Sequence, residues 1–232
     1  MPRPRPIRTA TEHAIEVPRT ARYYVLGDTR VRGTDLWIVL HGIGQLAGDF
    51  VEYFSVLNDG NHVVVAPEAL NRYYTQPISV PSVDRHVGAT WMTREFRDAE
   101  IGDYVRYLDL LHADIIAKFR PRRTVVVGFS QGGATATRWA VQGAASIDAL
   151  ILWGATLPPD VDLATVHTKL RGASLRIVIG KTDQYISADA VAKERERLDA
   201  AGLRYELVEY DAGHSIKRAV LSDIAASIEA GA

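Results

Sequence analysis

One serine lies where a buried-strand pattern changes into a helical one. Gly128-Phe129-Ser130-Gln131-Gly132 follows the β-branched run Thr124–Val127 and precedes the helix-compatible stretch Ala134–Val141. A sharp strand-to-helix turn exposes the serine Oγ, and small residues two positions to either side avoid a collision there. Glycine and serine also occur in ordinary tight turns, but the strand before and the helix after favour a functional role. Ser130 is therefore the predicted nucleophile.

A serine hydroxyl needs a base to remove its proton, and the sequence offers seven histidines. His214 follows the strand pattern 205–210 and the short loop 211–213. That position belongs to the carboxyl edge of a parallel sheet, where Ser130 also emerges, so His214 is the predicted base. His86 lies in a long irregular segment without an obvious partner. Four others lie in or beside predicted elements, where a solvated or buried structural role is expected: His13, His62, His112 and His167.

The base needs an acid to orient it, and Asp183 has the right position. It follows the apolar strand pattern 175–179 and a short turn, which places it at the same sheet edge. The order Ser130, Asp183, His214 is that of an α/β-hydrolase triad. Asp211 is the rival, but its closeness to His214 is explained more simply by turn chemistry. Two further aspartates follow a Pro-Pro pair and are interpreted as loop or helix-capping residues: Asp160 and Asp162.

An oxyanion hole needs two backbone N–H groups aimed at the attacked carbonyl. The residue after the nucleophile, Gln131, should supply one of them. The other should come from the loop after the strand Asp35–Leu40, where glycines flank Ile43 and allow its amide to turn into the site. His41 begins this loop, and we expect it to have a hydrogen-bonded structural role without acid–base chemistry.

Four segments together carry a family resemblance: Leu40–Gly44, Gly128–Gly133, the loop at Asp183, and Asp211–His214. They resemble the phospholipase/carboxylesterase family of α/β-hydrolases, which includes acyl-protein thioesterases. The similarity runs from about Leu36 to the last helix. It implies hydrolysis of carboxylic esters or thioesters without a metal or cofactor, with Ile43 and Gln131 as oxyanion donors by position. The sequence departs from the family at 184–186, where many relatives have a proline-containing turn, and in the longer, more aromatic segment 71–94.

The repeating pattern of elements predicts a mostly parallel twisted sheet with helices on both faces, the α/β-hydrolase fold. An antiparallel strand pair over 13–17 and 21–26 should precede it. Strands are predicted near 36–40, 62–66, 124–128, 148–153, 175–179 and 205–210. Helices are predicted near 47–58, 95–119, 132–142, 188–201 and 215–229.

Length and composition narrow the function further. The 232 residues fit one α/β domain over 11–232, preceded by a flexible Pro/Arg tail over 1–10. The formal net charge of −1 argues against a nucleic-acid partner, and the absence of cysteine excludes disulfides, thiolate metal sites and a cysteine nucleophile. The basic start lacks the apolar core of a secretory signal, and no segment is long enough to cross a membrane as a helix, so a cytoplasmic enzyme is expected.

The long segment 67–94 is the predicted substrate wall, because loops of this length are usually functional or disordered. Its candidate contacts are Tyr73, Trp91 and Met92, and Tyr185 in the acid loop is a further candidate. The alternatives are that these side chains only pack the loop onto the domain, or that an exposed Trp91 supports a homodimer. Arg72, Arg85 and Arg94 are either solvated or available to a substrate anion.

The candidate triad and oxyanion donors predict a serine carboxylesterase that hydrolyses small-molecule esters of short to medium acyl chain through an acyl-enzyme. An acyl thioesterase or lysophospholipase is the alternative within hydrolases. A non-catalytic α/β-hydrolase-fold module that binds a ligand is the alternative from another class, since fold alone does not establish activity.

Overall fold

The structure is a computed structural model and describes residues 10–231. Its strands are β1 (Tyr23–Leu26), β2 (Asp35–Leu40), β3 (His62–Pro67), β4 (Asn71–Tyr74), β5 (Val87–Thr90), β6 (Arg123–Phe129), β7 (Ala149–Trp153), β8 (Ser174–Gly180) and β9 (Glu206–Tyr210). Its α-helices are α1 (Ala47–Phe50), α2 (Arg97–Phe119), α3 (Gln131–Gln142), α4 (Leu163–Lys169), α5 (Ala188–Ala200) and α6 (Arg218–Ala230). Helix α1 continues directly as a 3₁₀ helix, Val51–Leu57.

Seven of these strands form one sheet in the order β1-β3-β2-β6-β7-β8-β9. All neighbours in it pair in parallel except β1, which is antiparallel to β3. Parallel neighbours separated by helical crossovers are the mark of an α/β protein, so the predicted fold class is confirmed. Strands β4 and β5 form a separate antiparallel hairpin.

The central strands are apolar throughout because both faces of the sheet are covered. Along β2, Leu36, Ile38 and Leu40 enter a core cluster with residues of α2, α3, α4 and α5. The alternate residues Trp37 and Val39 enter a second cluster with the 3₁₀ helix and α6. The continuous apolar runs in the sequence therefore reflect two cores, one on each side of the sheet.

Three parts of the fold differ from the sequence-based prediction. An antiparallel pair is present, but it joins β1 to β3; the predicted partner strand over 13–17 is wrong, since these residues form no strand. The segment 67–94 contains the hairpin β4–β5 with a connection over 75–86, so it is less irregular than expected. Helix α4 was not predicted, although Asp162 caps it by accepting hydrogen bonds from the N–H groups of Ala164 and Thr165.

Residues 1–9, most of the predicted tail, lie outside the described residues. No helix within 10–231 combines the length and the apolar character that crossing a bilayer requires.

Candidate active site

Ser130 occupies the turn between β6 and α3 with φ 54° and ψ −119°. Positive φ is strained for a residue with a Cβ, and such strain persists only where the surroundings enforce it. Here the Ser130 N–H donates to the carbonyl of Trp153 at 2.9 Å, and its carbonyl accepts from Gly133 at 2.9 Å. A Cβ at Gly132 would lie 2.1 Å from the Leu40 carbonyl oxygen, so the turn can press against β2 only with glycine there. The motif thus forms a tight strand-to-helix elbow.

His214 and Asp183 are joined by a 2.7 Å hydrogen bond between Nδ1 and Oδ2. The other carboxylate oxygen of Asp183 accepts from the backbone N–H groups of Tyr185 at 2.8 Å and Ile186 at 3.1 Å. The side chain of Asp183 is fully buried, and its carboxylate accepts the hydrogen bond from His214. Asp183 therefore holds the imidazole proton on Nδ1. The Nε2 lone pair of His214 is then available to take a proton.

The imidazole of His214 lies beside the nucleophile elbow. Its ring centroid is 4.8 Å from that of Phe129, the residue before Ser130. A Cβ at Gly154, which follows β7, would lie only 2.8 Å from His214 Cε1. Among the residues described here, no hydrogen bond joins Ser130 Oγ to the imidazole, and catalytic hydrogen bonds in ligand-free sites are often long. The structure therefore brings the three predicted residues to one edge of the sheet, with the acid and base already engaged.

The loop after β2 lies against the elbow, as the oxyanion prediction requires. A Cβ at Gly42 would be 3.3 Å from Ser130 Cβ. The Gly42 N–H is engaged by the Gln45 side chain at 2.8 Å, and the Gly44 N–H by the Ala89 carbonyl at 2.8 Å. Within residues 10–231, no hydrogen bond uses the backbone N–H of Ile43 or Gln131. Both predicted donors are thus free to bind a carbonyl oxygen.

His41 is a buried structural residue. Its Nδ1 donates to the Gly42 carbonyl at 2.8 Å, and its Nε2 accepts from the Ala69 N–H at 3.1 Å. Burial lowers the pKa of His41, because charging an imidazole away from water is unfavourable. With both nitrogens engaged and the ring neutral, His41 fixes the backbone of the loop that carries Ile43.

The predicted substrate contacts separate into buried and exposed groups. The expectation of an exposed Trp91 is wrong: the indole is 2 % exposed, and its N–H donates to the His41 carbonyl at 2.8 Å. Met92 is partly buried and packs against the core. Tyr73 is 40 % exposed on β4, and Tyr185 is 74 % exposed with its ring centroid 4.8 Å from that of His214. Tyr73 and Tyr185 therefore remain accessible to a substrate, whereas Trp91 packs beneath the site.

The side chain of Gln131 has a role that the sequence did not reveal. Its Oε1 accepts from the Trp91 N–H at 3.1 Å, and its Nε2 donates to the Met92 carbonyl at 2.8 Å and to Thr90 Oγ1 at 3.0 Å. These bonds tie the end of β5 to the start of α3. The backbone N–H of Gln131 is the predicted oxyanion donor, whereas its side chain connects two elements of the fold. No sequence motif would have shown the role of the side chain.

The rival residues have other partners. Asp211 pairs with Lys181 at 2.8 Å on the surface, whereas the imidazole of His214 is hydrogen bonded to Asp183. Asp160 accepts from Arg138 and Arg97, and the Arg138 guanidinium holds the pKa of Asp160 well below its usual range. Burial lowers the pKa of His112, which lies in the core. None of these groups is bonded to His214.

A cavity of about 470 Å³ borders the loop after β2. Gly44, Gln45, Tyr53 and Arg218 are among its lining residues, but Ser130 and His214 are not. It therefore lies beside the nucleophile and not over it. Among the described residues, one group of side chains has metal-ligand spacing, and it lies at the opposite edge of the sheet: Asp35, His62 and Glu229.

A family model described as phospholipase/carboxylesterase matches residues 25–231. The chain belongs to this family. Its members are esterases and related hydrolases by that description, so hydrolysis of esters is supported at this level. No match to a curated protein reaches significance.

Several solved structures share the fold. Esterase PE8 is 20 % identical, with a TM-score of 0.67 over 91 % of this chain and 99 % of its own. The Zea mays acyl-protein thioesterase 2 is 16 % identical, with a TM-score of 0.66 over the same shares of the two chains, 91 % and 99 %. A Bacillus cereus carboxylesterase is 14 % identical, with a TM-score of 0.61 over 88 % of this chain and 91 % of its own. At these identities the similarity establishes the fold alone.

Proposed function

We propose that this protein is a serine carboxylesterase that hydrolyses small esters of short to medium acyl chain. The observation that supports it best is the arrangement at the carboxyl edge of the sheet. The strained elbow at Ser130 lies beside the imidazole of His214, which is hydrogen bonded to the buried Asp183 at 2.7 Å. A binding module would need neither the strain nor the buried acid.

In the first half of the reaction, His214 Nε2 removes the proton from Ser130 as Oγ attacks the ester carbonyl. The tetrahedral oxyanion accepts hydrogen bonds from the N–H groups of Ile43 and Gln131. Asp183 stabilises the imidazolium that forms. The imidazolium then gives its proton to the departing alcohol, and an acyl ester on Ser130 remains.

In the second half, water takes the place of the alcohol. His214 removes a proton from the water as it attacks the acyl ester, and the same two N–H groups bind the second oxyanion. Collapse of this intermediate breaks the bond to Oγ, which recovers the proton from the imidazolium. The acid product leaves, and the side chains return to their initial protonation states.

The rim of the site supports a small substrate. Ile43 and Tyr185, which flank the predicted oxyanion hole and base, are 57 % and 74 % exposed. Trp91 is 2 % exposed and therefore does not line an open pocket for a long acyl chain. Each methylene contributes about 0.8 kcal/mol only where the protein buries it, so an open rim gains little from extra length. We expect kcat/KM to fall or level off beyond medium chains.

The decisive variant is Ser130→Ala, assayed with p-nitrophenyl esters of increasing acyl length. The expected result is loss of turnover to the background rate. Ser222→Ala is the matched control, because Ser222 is exposed on α6 and its hydroxyl donates to the Arg218 carbonyl of the same helix. Retention of most activity in Ser130→Ala, with both variants equally folded, would exclude the assignment.

A covalent serine probe separates the enzyme from a ligand-binding module. Stoichiometric labelling that maps to Ser130 supports the enzyme, whereas saturable ester binding without labelling supports the module. Matched oxygen esters and thioesters in the same chain-length series then separate a carboxylesterase from an acyl thioesterase or lysophospholipase.

A further inference from the structure

A second cluster of polar side chains lies at the amino edge of the sheet, about 17 Å along β2 from the catalytic edge at roughly 3.3 Å per residue. Asp35 begins β2 and His62 begins β3, and the two residues are direct partners in the parallel register. Glu229 reaches them from the last turn of α6. One ligand atom from each of the three lies within 4.8 Å of the other two.

Two polar side-chain atoms of these residues are buried without a hydrogen-bond partner. They are Asp35 Oδ2 and His62 Nε2, and both side chains are at most 3 % exposed. Leaving a buried polar group unpaired is costly, so native proteins rarely do it without a reason. Both unpartnered atoms belong to residues of the cluster that Glu229 completes.

The hydrogen bonding of His62 suits a metal ligand. Its Nδ1 lies 3.0 Å and 3.1 Å from the two carboxylate oxygens of Asp59, to which it donates. A histidine that ligates a metal typically gives its other ring N–H to a carboxylate, which fixes the tautomer and orients the lone pair. Asp59 therefore holds His62 with the Nε2 lone pair directed away from it, on the side where Glu229 lies 3.4 Å distant.

The spacing and the charge also fit a small divalent cation. Two atoms bound to zinc at about 2.0–2.1 Å with a tetrahedral angle lie roughly 3.4 Å apart. Asp35 Oδ1 accepts from Arg122 at 2.9 Å and from Arg123 at 3.1 Å, which leaves Oδ2 to bind. A cavity of about 330 Å³ that is open to solvent has Glu229 and Arg122 among its lining residues.

We propose that Asp35, His62 and Glu229 form a binding site for a divalent transition-metal ion of the zinc type. Its role is structural, because the ion would join the last turn of α6 to the starts of β2 and β3. One histidine nitrogen and two carboxylate oxygens are a ligand set that zinc accepts, with water completing the coordination. The sequence predicted no metal site in this chain, and the proposal does not depend on the proposed esterase activity.

The experiment uses tag-free full-length protein that has been stripped with a chelator and then titrated with Zn²⁺. Zinc bound after removal of excess is measured by elemental analysis, and the melting temperature is followed across the titration. Binding to the folded state alone raises the melting temperature with the logarithm of zinc concentration. Co²⁺ serves as a second probe, because its visible absorption reports coordination by the protein.

Glu229→Gln is the test variant, since Glu229 is partly exposed and its loss leaves the core intact. Asp223→Asn is its matched control, an exposed carboxylate on the same helix. We expect one zinc ion to bind wild type and Asp223→Asn, with affinity at least about tenfold weaker in Glu229→Gln. Asp59→Asn should weaken binding by about 10–100-fold, because it removes the partner of His62 Nδ1.

Two results would overturn the proposal. One is failure of wild type to retain zinc or shift its melting temperature in about tenfold excess of Zn²⁺ over protein. The other is equal zinc affinity in Glu229→Gln and Asp223→Asn, which would place the ion elsewhere, for example at His214.

Discussion

Replacing Asp183 with asparagine tests the acid–base assignment, because the structure fixes how the amide must sit. Oδ1 of Asp183 accepts two backbone N–H groups, those of Tyr185 and Ile186. The asparagine carbonyl must take this place, since turning its NH₂ there would leave two buried donors unpaired at about 1–3 kcal/mol each. The NH₂ group then faces His214 Nδ1 and donates to it.

That contact forces the imidazole proton onto Nε2, where it blocks removal of the Ser130 proton. A wrong tautomer in a triad of this kind lowers kcat by about 10⁴, which is roughly 5.5 kcal/mol at 1.36 kcal/mol for each factor of ten. The shape and burial of the side chain hardly change, so the melting temperature should stay near that of wild type. The assay is steady-state hydrolysis of p-nitrophenyl acetate, with Ser130→Ala as the background.

Asp211→Asn is the matched control. It makes the same change in the rival aspartate, which is exposed and pairs with Lys181. We expect it to keep kcat within about twofold of wild type, because surface ion pairs contribute little. If Asp183→Asn instead stays within about tenfold of wild type, or Asp211→Asn shows the larger loss, the reasoning about the imidazole tautomer is refuted.

Three further predictions follow from the surroundings of the site. Gly154→Ala should lower kcat/KM by about 100-fold, because the new Cβ displaces His214 and the residue has positive φ; an unchanged pH–rate profile and rate would contradict this. Gln131→Ala should cost about 1–2 kcal/mol of unfolding free energy but less than tenfold in kcat, since the proposed oxyanion donor is its backbone N–H; denaturant titration and kinetics on the same sample check both. Asp160→Asn should lower unfolding free energy by about 1–2 kcal/mol at neutral pH through loss of its pairing with Arg138. Because the pKa of Asp160 is depressed in the fold, that difference should shrink as the pH falls through the acidic range, as urea unfolding at several pH values would show.

Much of the candidate site could be predicted from the sequence because its residues lie at the ends of strands. Apolar runs followed by glycine or a short polar turn mark the carboxyl edge of a parallel sheet, so Ser130, Asp183 and His214 were each placed from local pattern. The structure adds the 2.7 Å bond that distinguishes Asp183 from Asp211. Both aspartates follow a strand, so the sequence favoured Asp183 only because turn chemistry already explains the position of Asp211.

Other features depend on contacts between distant segments and left no local signal. The sequence around Trp91 resembles a loop because β5 is short. Only the packing of the indole against His41 and Tyr104 shows that this residue is buried. The strand 13–17 was predicted from its local pattern and the turn signal after it, but β1 pairs with β3 instead. The cluster of Asp35, His62 and Glu229 joins the two ends of the chain, so no spacing rule could have revealed it.

The attachment of the hairpin β4–β5 limits how this protein can be redesigned. Gly44 donates to the Ala89 carbonyl at 2.8 Å and Ala89 donates to the Gln45 carbonyl at 3.2 Å, so the hairpin base and the loop that carries Ile43 share one hydrogen-bonded framework. A Cβ at Gly88 would also lie 2.5 Å from the Gly44 carbonyl oxygen. We therefore expect a foreign connection grafted over 75–86 to leave this framework intact, whereas replacing the whole hairpin would move the proposed oxyanion donors. Substrate selectivity can therefore be changed without loss of turnover only at positions outside this shared framework.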